Sequence, residues 1–397
     1  MLKRGGSAYE VLAAFSRLGV TSFGGPIAHL GYFRDEFVVR RRWLDEAAYA
    51  DLVGLCQFLP GPASSQVAFA LGLSRAGYAG ALAAWIGFTL PSAAALVAFA
   101  YGADSLGGSG ATGAGVLHGL KLVAVAIVAQ AVLGMARTLC PDRQRATIAI
   151  AAAILVLAGG TLSAQLGAIG LGAATGYWWC RAPLLPVRPP PVAVSHAMGV
   201  GALTVFALLL VGLPVLQRVT SLPAVDLFAA FYRSGALVFG GGHVVLPLLR
   251  EAVVPPGWVS DDAFLAGYGA AQAVPGPLFT FAAYLGTIAR PVPGIPGALI
   301  ALVAIFLPGM LILVGVLPVW SVVRRDGGAQ AMMRGANAAV VGLLAAALYN
   351  PIWSTAVRSW RDVGLALAAF LLLTVWRAAP LLVVVLTAVG AVVLGVR

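Results

Sequence analysis

Gln57-Phe-Leu-Pro-Gly-Pro62 and Gln272-Ala-Val-Pro-Gly-Pro277 place the same four residues in the same register within two otherwise apolar stretches. Proline removes an amide donor and disrupts the preceding helical turn, and glycine permits sharp backbone reversal. Each segment therefore predicts a helix that stops and a second that starts within a few residues. Inside a bilayer, such broken backbone is tolerated only where it faces protein or a water-lined cavity.

The matched pair belongs to a longer internal repeat. Phe15-Ser-Arg-Leu-Gly-Val-Thr-Ser-Phe-Gly-Gly25 recurs as Phe231-Tyr-Arg-Ser-Gly-Ala-Leu-Val-Phe-Gly-Gly241. Trp43 with Asp45 and Glu46 is echoed by Trp258 with Asp261 and Asp262, and Leu90-Pro91 by Leu307-Pro308. All lie about 215 residues apart in one order, which chance similarity of apolar composition would not preserve. The organisation expected is a first repeat over 1–181, a linker with an extra membrane helix over 182–223, and a second repeat over 224–397.

The composition agrees. Of 397 residues, 60% are hydrophobic and 10% charged, with a mean hydropathy of +0.95. Soluble chains carry roughly a quarter charged residues, so a water-facing surface cannot be covered here. Apolar runs such as Ala81–Ala103, Gly119–Ala136, Met198–Gln217 and Gly297–Trp320 are long enough to cross a bilayer. The fold class is an all-α polytopic membrane protein with two homologous halves, broken or re-entrant helices, and roughly ten to thirteen membrane segments. Leu12–Phe33, broken at Gly24-Gly25-Pro26, reads as re-entrant, and Ala47–Leu73, broken at Pro60-Gly61-Pro62, as a hairpin.

The net charge of +11 is almost all arginine. Short basic loops kept on the cytoplasmic side account for it without a nucleic-acid partner. The loop Asp104–Gly113 has no Lys or Arg, but its counterpart Val322–Arg334 holds Arg324, Arg325 and Arg334. Arg34 and Arg40–Arg42 crowd another loop whose counterpart, Arg250–Asp262, has one Arg against three acids. Equivalent loops thus read as lying on opposite sides, which makes the halves inverted repeats; Arg358 and Arg361 run against that pattern. Met1–Glu10 lacks a charged–apolar–small cleavage pattern, so no removable signal peptide is expected. Cys56, Cys140 and Cys180 follow no disulfide or thiolate-metal spacing.

Inverted repeats of transporters bind their cargo at the repeat interface near the midplane. A helix beginning near Pro62 presents unpaired amides and a partial positive charge of about +0.5 to that interface, as anion-binding helix starts do. Ser64, Ser65 and Gln66, and Thr280 in the second half, add hydroxyl and amide donors. The candidate binding set comprises Gln57, Pro60, Gly61, Pro62, Ser64, Ser65, Gln272, Pro275, Gly276, Pro277 and Thr280. It also includes Gly24, Gly25 and Pro26 with Gly240 and Gly241, where glycines allow close backbone approach, and Arg17 and Arg233, equivalent cations that attract anions. Packing, snorkelling and capping remain the plain alternatives for these residues. His29, His243, Glu36 and Glu251 are candidates for proton coupling, set against packing histidines and loop ion pairs. Lys121, whose counterpart in the second half is Asn337, reads as a lysine near a helix end reaching to the interface. No nucleotide-binding loop, His-Glu-x-x-His or magnesium-binding acidic cluster is found, so neither an enzyme nor a cofactor or metal is expected.

Phe23-Gly-Gly-Pro26, Arg42-Trp-Leu-Asp-Glu46 and Gln57-Phe-Leu-Pro-Gly-Pro62, with Phe239-Gly-Gly-Gly-His243 and Gln272-Ala-Val-Pro-Gly-Pro277, resemble the chromate transporter family in its two-domain, long-chain form. Gly242 departs from that pattern by standing where the first half has proline. The resemblance implies export of chromate from the cytoplasm through the inner (plasma) membrane, driven by potential or proton gradient and giving chromate resistance. Sulfate, alike in charge and shape, is a competing or exchanged ion on the same grounds. Another anion, or an intramembrane enzyme acting on a lipid-linked substrate, is the alternative. A homodimer is left open.

Overall fold

Most landmarks of the repeat stand at helix boundaries in the computed structural model, which describes residues 6–108, 110–181, 192, 194–239, 242–323 and 325–396, while Leu90-Pro91 and Leu307-Pro308 lie inside helices. Lys3, Arg4, Arg324, most of the proline-rich linker, and Gly240 and Gly241 of the candidate set lie outside the described residues. The first half comprises α1 (Ala8–Thr21), α2 (Gly25–Arg34), α3 (Glu46–Phe58), α4 (Ala63–Gly108), α5 (Gly110–Leu139), α6 (Arg143–Gly159) and α7 (Leu162–Trp179). A linking helix, α8 (His196–Val219), follows. The second half comprises α9 (Pro223–Ala236), α10 (Val245–Val253), α11 (Asp261–Ala271), α12 (Phe281–Ile288), α13 (Ile295–Val316), the short α14 (Trp320–Val323), α15 (Gly327–Ala347), the single turn α16 (Ser354–Ala356), α17 (Trp360–Thr374) and α18 (Pro380–Val393).

Local chemistry sets these boundaries. α3 and α11 start at equivalent caps, where Asp45 accepts from the Ala48 amide at 2.8 Å and Ser260 from the Ala263 amide at 3.2 Å. α1 ends where Gly24 turns to φ +100 and Gly25 to φ +77, and Pro26 then sits in the first turn of α2. α4 folds back at Ala76–Gly77, where Gly77 has φ +66, so its two arms correspond to α12 and α13.

Among the described residues, five helical stretches are long and apolar enough to cross a bilayer: Ala63–Ala103, Gly110–Leu139, His196–Val219, Ile295–Val319 and Gly327–Ala356. They contain three of the apolar runs read from sequence and all but Trp320 of the fourth. The last two have 67% of their most apolar window buried, but α8 has only 17%, so α13 and α15 are interior and α8 is peripheral. Leu208 and Val211 of α8 are 66% and 69% exposed. A surface of bare aliphatic side chains suits lipid rather than water.

Small residues let the helices approach, as expected where lipid supplies no hydrophobic drive between them. A Cβ on Gly19 of α1 would lie 2.6 Å from Gly87 O of α4, and one on the equivalent Gly235 of α9 would lie 2.1 Å from Ile305 O of α13. The central helices cross between halves. Gly119 of α5 abuts Ala388 of α18, and the equivalent Gly335 of α15 abuts Gly172 of α7. Each half therefore lends its central helix to the final hairpin of the other. The charged loop after α2 closes on itself: Arg34 pairs with Glu46 at 2.7 Å, Arg40 and Arg41 with Glu36, and Arg75 with Glu10 at 3.1 Å. Arg250 and Asp261 repeat the Arg34–Glu46 pair at 2.7 Å in the second half.

Candidate functional site

The two Pro-Gly-Pro turns are pinned by opposite halves. The Gly61 amide donates to Val238 O at 2.7 Å, and the Gly276 amide donates to Ser22 O at 2.9 Å. Val238 and Ser22 are themselves equivalent, each one residue ahead of its Phe-Gly-Gly motif. Both glycines adopt positive φ, +119 and +101, and both meet the helix proline region of the other half. A Cβ on Gly61 would lie 2.9 Å from Gly309 Cα; one on Gly276 would lie 2.8 Å from Ser92 Oγ. Gly309 follows Pro308, and Ser92 follows Pro91. The same contact is thus made twice with the halves exchanged. At this crossing Gly242, in the position of the missing second-half proline, faces Pro26 of the first half.

The turns differ in what they offer. After Gly61, α4 begins directly, and its first intrahelical bond is Gln66 N to Pro62 O at 2.9 Å. The amides of Ala63, Ser64 and Ser65 precede that bond and point out of the helix start. Ser64 and Ser65 are buried, and the Ser65 hydroxyl has no protein partner among the described residues. His29, fully buried on α2, sets its Nδ1 3.5 Å from Ser64 Oγ, rests its ring edge-on against Phe88, and leaves Nε2 without a partner among the described residues. Ser22 Oγ and Thr89 Oγ1 are also buried without a partner among the described residues. Buried polar atoms are nearly always paired, so several orphans on the elements that meet at one crossing single it out as the candidate site. Gln66 fixes the geometry, since its Nε2 donates to Pro60 O at 3.0 Å and to Gly309 O at 2.9 Å.

The second turn is drier. Leu278 and Phe279 stand where the first half has Ala63 and Ser64. Thr280 donates its hydroxyl to Pro277 O at 2.7 Å, closing a short 3-10 turn before α12.

The remaining sequence candidates scatter around this crossing. Pro60, Pro62, Pro275 and Pro277 form the turns themselves. Gln57 is exposed on α3, but Gln272 is half-buried with an unpaired Nε2. Arg17 is exposed on α1, and Arg233 is half-buried on α9. His243 shares a 2.7 Å hydrogen bond with the buried Tyr268 hydroxyl. Glu36 is engaged by Arg40 and Arg41, and Glu251 is half-buried on α10.

Lys121 departs from the expectation of a plain interfacial lysine. It is 7% exposed along α5 and pairs with Asp262 Oδ1 of α11 at 2.8 Å. Beside it, His118 Nε2 meets Asp362 Oδ1 of α17 at 2.8 Å, both groups buried. Sequence reasoning passed over His118, Asp262 and Asp362. The signal was there: two basic-type residues one turn apart on one face of an otherwise uncharged span require partners. Among the described residues, no cluster of His, Cys, Asp or Glu suits a metal ion.

Comparison with known proteins gives one consistent answer. The chromate transporter family matches residues 9–177 and again 225–395. A chromate transport protein of Pseudomonas aeruginosa is 29% identical, covering 96% of this chain and 90% of its own length. One from Cupriavidus metallidurans is 27% identical over 91% of this chain and 85% of its own length. A probable chromate transport protein of Synechococcus elongatus is 28% identical over 86% and 84%. No solved structure shows significant similarity.

Proposed function

The chain belongs to the chromate transporter family, and from that premise we propose that it is a secondary active transporter exporting chromate from the cytoplasm across the inner membrane, so conferring chromate resistance. In this reading the halves lie inverted in the bilayer, with domains 1–181 and 224–397 joined by 182–223, and the loop charges support that arrangement. The observation that carries the reading is the start of α4: free amides, buried hydroxyls and the His29 ring gathered at the crossing of the halves.

Chromate is a tetrahedral dianion whose oxygens accept hydrogen bonds on every side. The amides of Ala63–Ser65, the hydroxyls of Ser64 and Ser65, and an N–H of His29 are donors of the right kind. The helix start adds a partial positive charge of about half a proton. A site of dipoles with no fully buried guanidinium suits cargo that must leave again, since conduction needs binding weak enough for release. Arg17 and Arg233, equivalent in the halves, draw the anion toward the crossing. The remaining candidates of both turns and both glycine breaks shape the backbone around it. Proton coupling falls to His29 and His243, with Glu36 and Glu251 as acids beyond the helix breaks.

The test is flux of radiolabelled chromate in liposomes holding the purified protein, under imposed proton and potential gradients, with sulfate as competitor. Gradient-dependent chromate flux inhibited by sulfate is the expected result. Sulfate flux without chromate flux would transfer the reading to sulfate, which offers the same four oxygens. Flux of neither ion under any gradient refutes anion transport.

A further inference from the structure

We propose that α5–α11 and α3–α15 are two equivalent gates of the transport cycle, one shut and one open in this structure, with Lys121 and Asp262 latching the shut one. The inference rests on the chain being a transporter but not on which anion it carries.

In the shut gate, α11 lies hard against α5. A Cβ on Gly269 would sit 2.1 Å from Leu120 O, and Ala266 and Ala270 join Leu120, Val123 and Ile127 in one apolar cluster. Lys121 and Asp262 close its end at 2.8 Å, with Arg358, just ahead of α17, 4.0 Å from the same carboxylate oxygen. The His118–Asp362 pair ties α5 to α17 alongside.

The equivalent surfaces of the first half do not meet in this way. Gly54 of α3 matches Gly269 in the repeat, yet a Cβ there would have nothing within 4 Å. Ala50, Gly54 and Gln57 form an exposed stripe along α3. Asn337 of α15 matches Lys121 and keeps a buried Oδ1 with no partner among the described residues; Ala47 matches Asp262. The surrounding frame is nevertheless equivalent. α5 packs on α18 as α15 packs on α7, and both Pro-Gly-Pro turns keep their cross-half hydrogen bonds. The asymmetry thus includes the seating of one short helix in each half.

A glycine inside a helix weakens it unless close packing repays the loss. Gly269 has that packing here and Gly54 does not. Gly54 gains it if α3 closes on α15 as α11 now closes on α5. Exchanging the two arrangements opens the crossing first on one side and then on the other, which is how repeats alternate access around a fixed site. Because only one gate has an ion-pair latch, the two states differ in energy, and the resting chain settles with α11 shut.

Cysteine pairs test this in a background with Cys56, Cys140 and Cys180 replaced. In membranes containing the full chain, Lys121→Cys with Asp262→Cys is expected to crosslink, as is Ala47→Cys with Asn337→Cys, and each bridge blocks flux until reduced. Adding Lys121→Gln is expected to raise the yield of the Ala47–Asn337 bridge. A bridge at Lys121–Asp262 with none at Ala47–Asn337 refutes the exchange, and no bridge at Lys121–Asp262 refutes the latch. Gly54→Leu supplies a second readout: folding retained, flux lost. Normal flux in Gly54→Leu overturns the proposal. Failure of the transport reading shows separately, as absent flux in the unaltered chain, and leaves the crosslinking result to stand on its own.

Discussion

Gly276→Ala tests the crossing of the halves directly. The residue has φ +101, and a Cβ there would lie 2.8 Å from Ser92 Oγ and 3.2 Å from Phe88 O of the opposite half. Forcing a side-chain-bearing residue into left-handed backbone costs about 1–2 kcal/mol. Pressing a methyl group into packed backbone costs about 1–3 kcal/mol more. The sum, about 2–5 kcal/mol, is a large share of the roughly 5–15 kcal/mol by which folded chains are stable. Gly77→Ala is the control. It has φ +66 and ψ −158 in the fold of α4, backbone nearly confined to glycine, but nothing within 4 Å of its Cβ, so only a backbone cost of about 1–3 kcal/mol applies. Thermal unfolding of the two purified variants, read with chromate flux in liposomes, separates the terms. Gly276→Ala is expected to melt several degrees below Gly77→Ala and to lose most of its flux. Equal melting temperatures with unimpaired flux in Gly276→Ala would show that the second Pro-Gly-Pro turn does not bear on α4 as described.

Other variants probe other links. Gln66→Leu strips the donor from Pro60 O and Gly309 O; at about 1–3 kcal/mol for a buried group left unpaired, thermal unfolding should show a clear loss, and an unchanged midpoint would contradict the hydrogen bonds. His29→Asn keeps much of the ring's volume while changing its donors, and chromate affinity measured on purified protein should fall about tenfold; full affinity would remove His29 from the site. Burial alone would raise the Glu36 carboxyl, but hydrogen bonds from Arg40 and Arg41 outweigh it and hold the group below its ordinary 4.5. A depressed carboxylate contributes stability that is present above the ordinary value and lost as pH falls through the depressed one. Glu36→Gln should therefore flatten the acid limb of stability against pH, and an acid limb identical to that of the unaltered chain would deny the pairing.

Much of the architecture could be read from the chain because breaks in a membrane helix need particular residues. Pro60-Gly61-Pro62 and Gly24-Gly25-Pro26 announce helix ends whatever surrounds them, and α1, α2, α3 and α4 begin or end there. The apolar runs around Ala81–Ala103 and Met198–Gln217 are equally plain, since length and composition suffice. Tertiary partnership was not legible. Nothing in Gly61 or Gly276 says that its amide reaches the opposite half, because a backbone hydrogen bond leaves no side-chain signature. Lys121 looked like an interfacial cation because its partner Asp262 lies in the other repeat, where a local reading takes it for a loop acid. Thr280 and Ser65 looked alike as hydroxyls near a helix start, but Thr280 closes its own turn and the Ser65 hydroxyl is left unpaired. That difference comes from the apolar Leu278 and Phe279 that precede Thr280 and was visible in the sequence beside it.

The repeat also explains why a single sequence can support two packings. The cross-half bonds at Gly61 and Gly276 and the α5–α18 and α15–α7 contacts are matched pairs, so a motion that exchanges the halves preserves each of them in kind. What changes includes which of α3 and α11 seats on a central helix. In the present arrangement the seat of α11 is filled by small residues, Ala266, Gly269 and Ala270. The matching positions of α3 are Asp51, Gly54 and Leu55. The carboxylate at Asp51 makes seating α3 costlier than seating α11, since an acid moved against a packed helix must keep a partner. Asn337, at the matching position on α15 with its amide oxygen unpaired, offers an N–H₂ on the helix that α3 would meet. Asp51→Ala should thus ease closure of α3 and raise the Ala47–Asn337 crosslink without touching the α4 helix start, and a reduced crosslink would mean that the acid helps to seat α3 rather than hindering it.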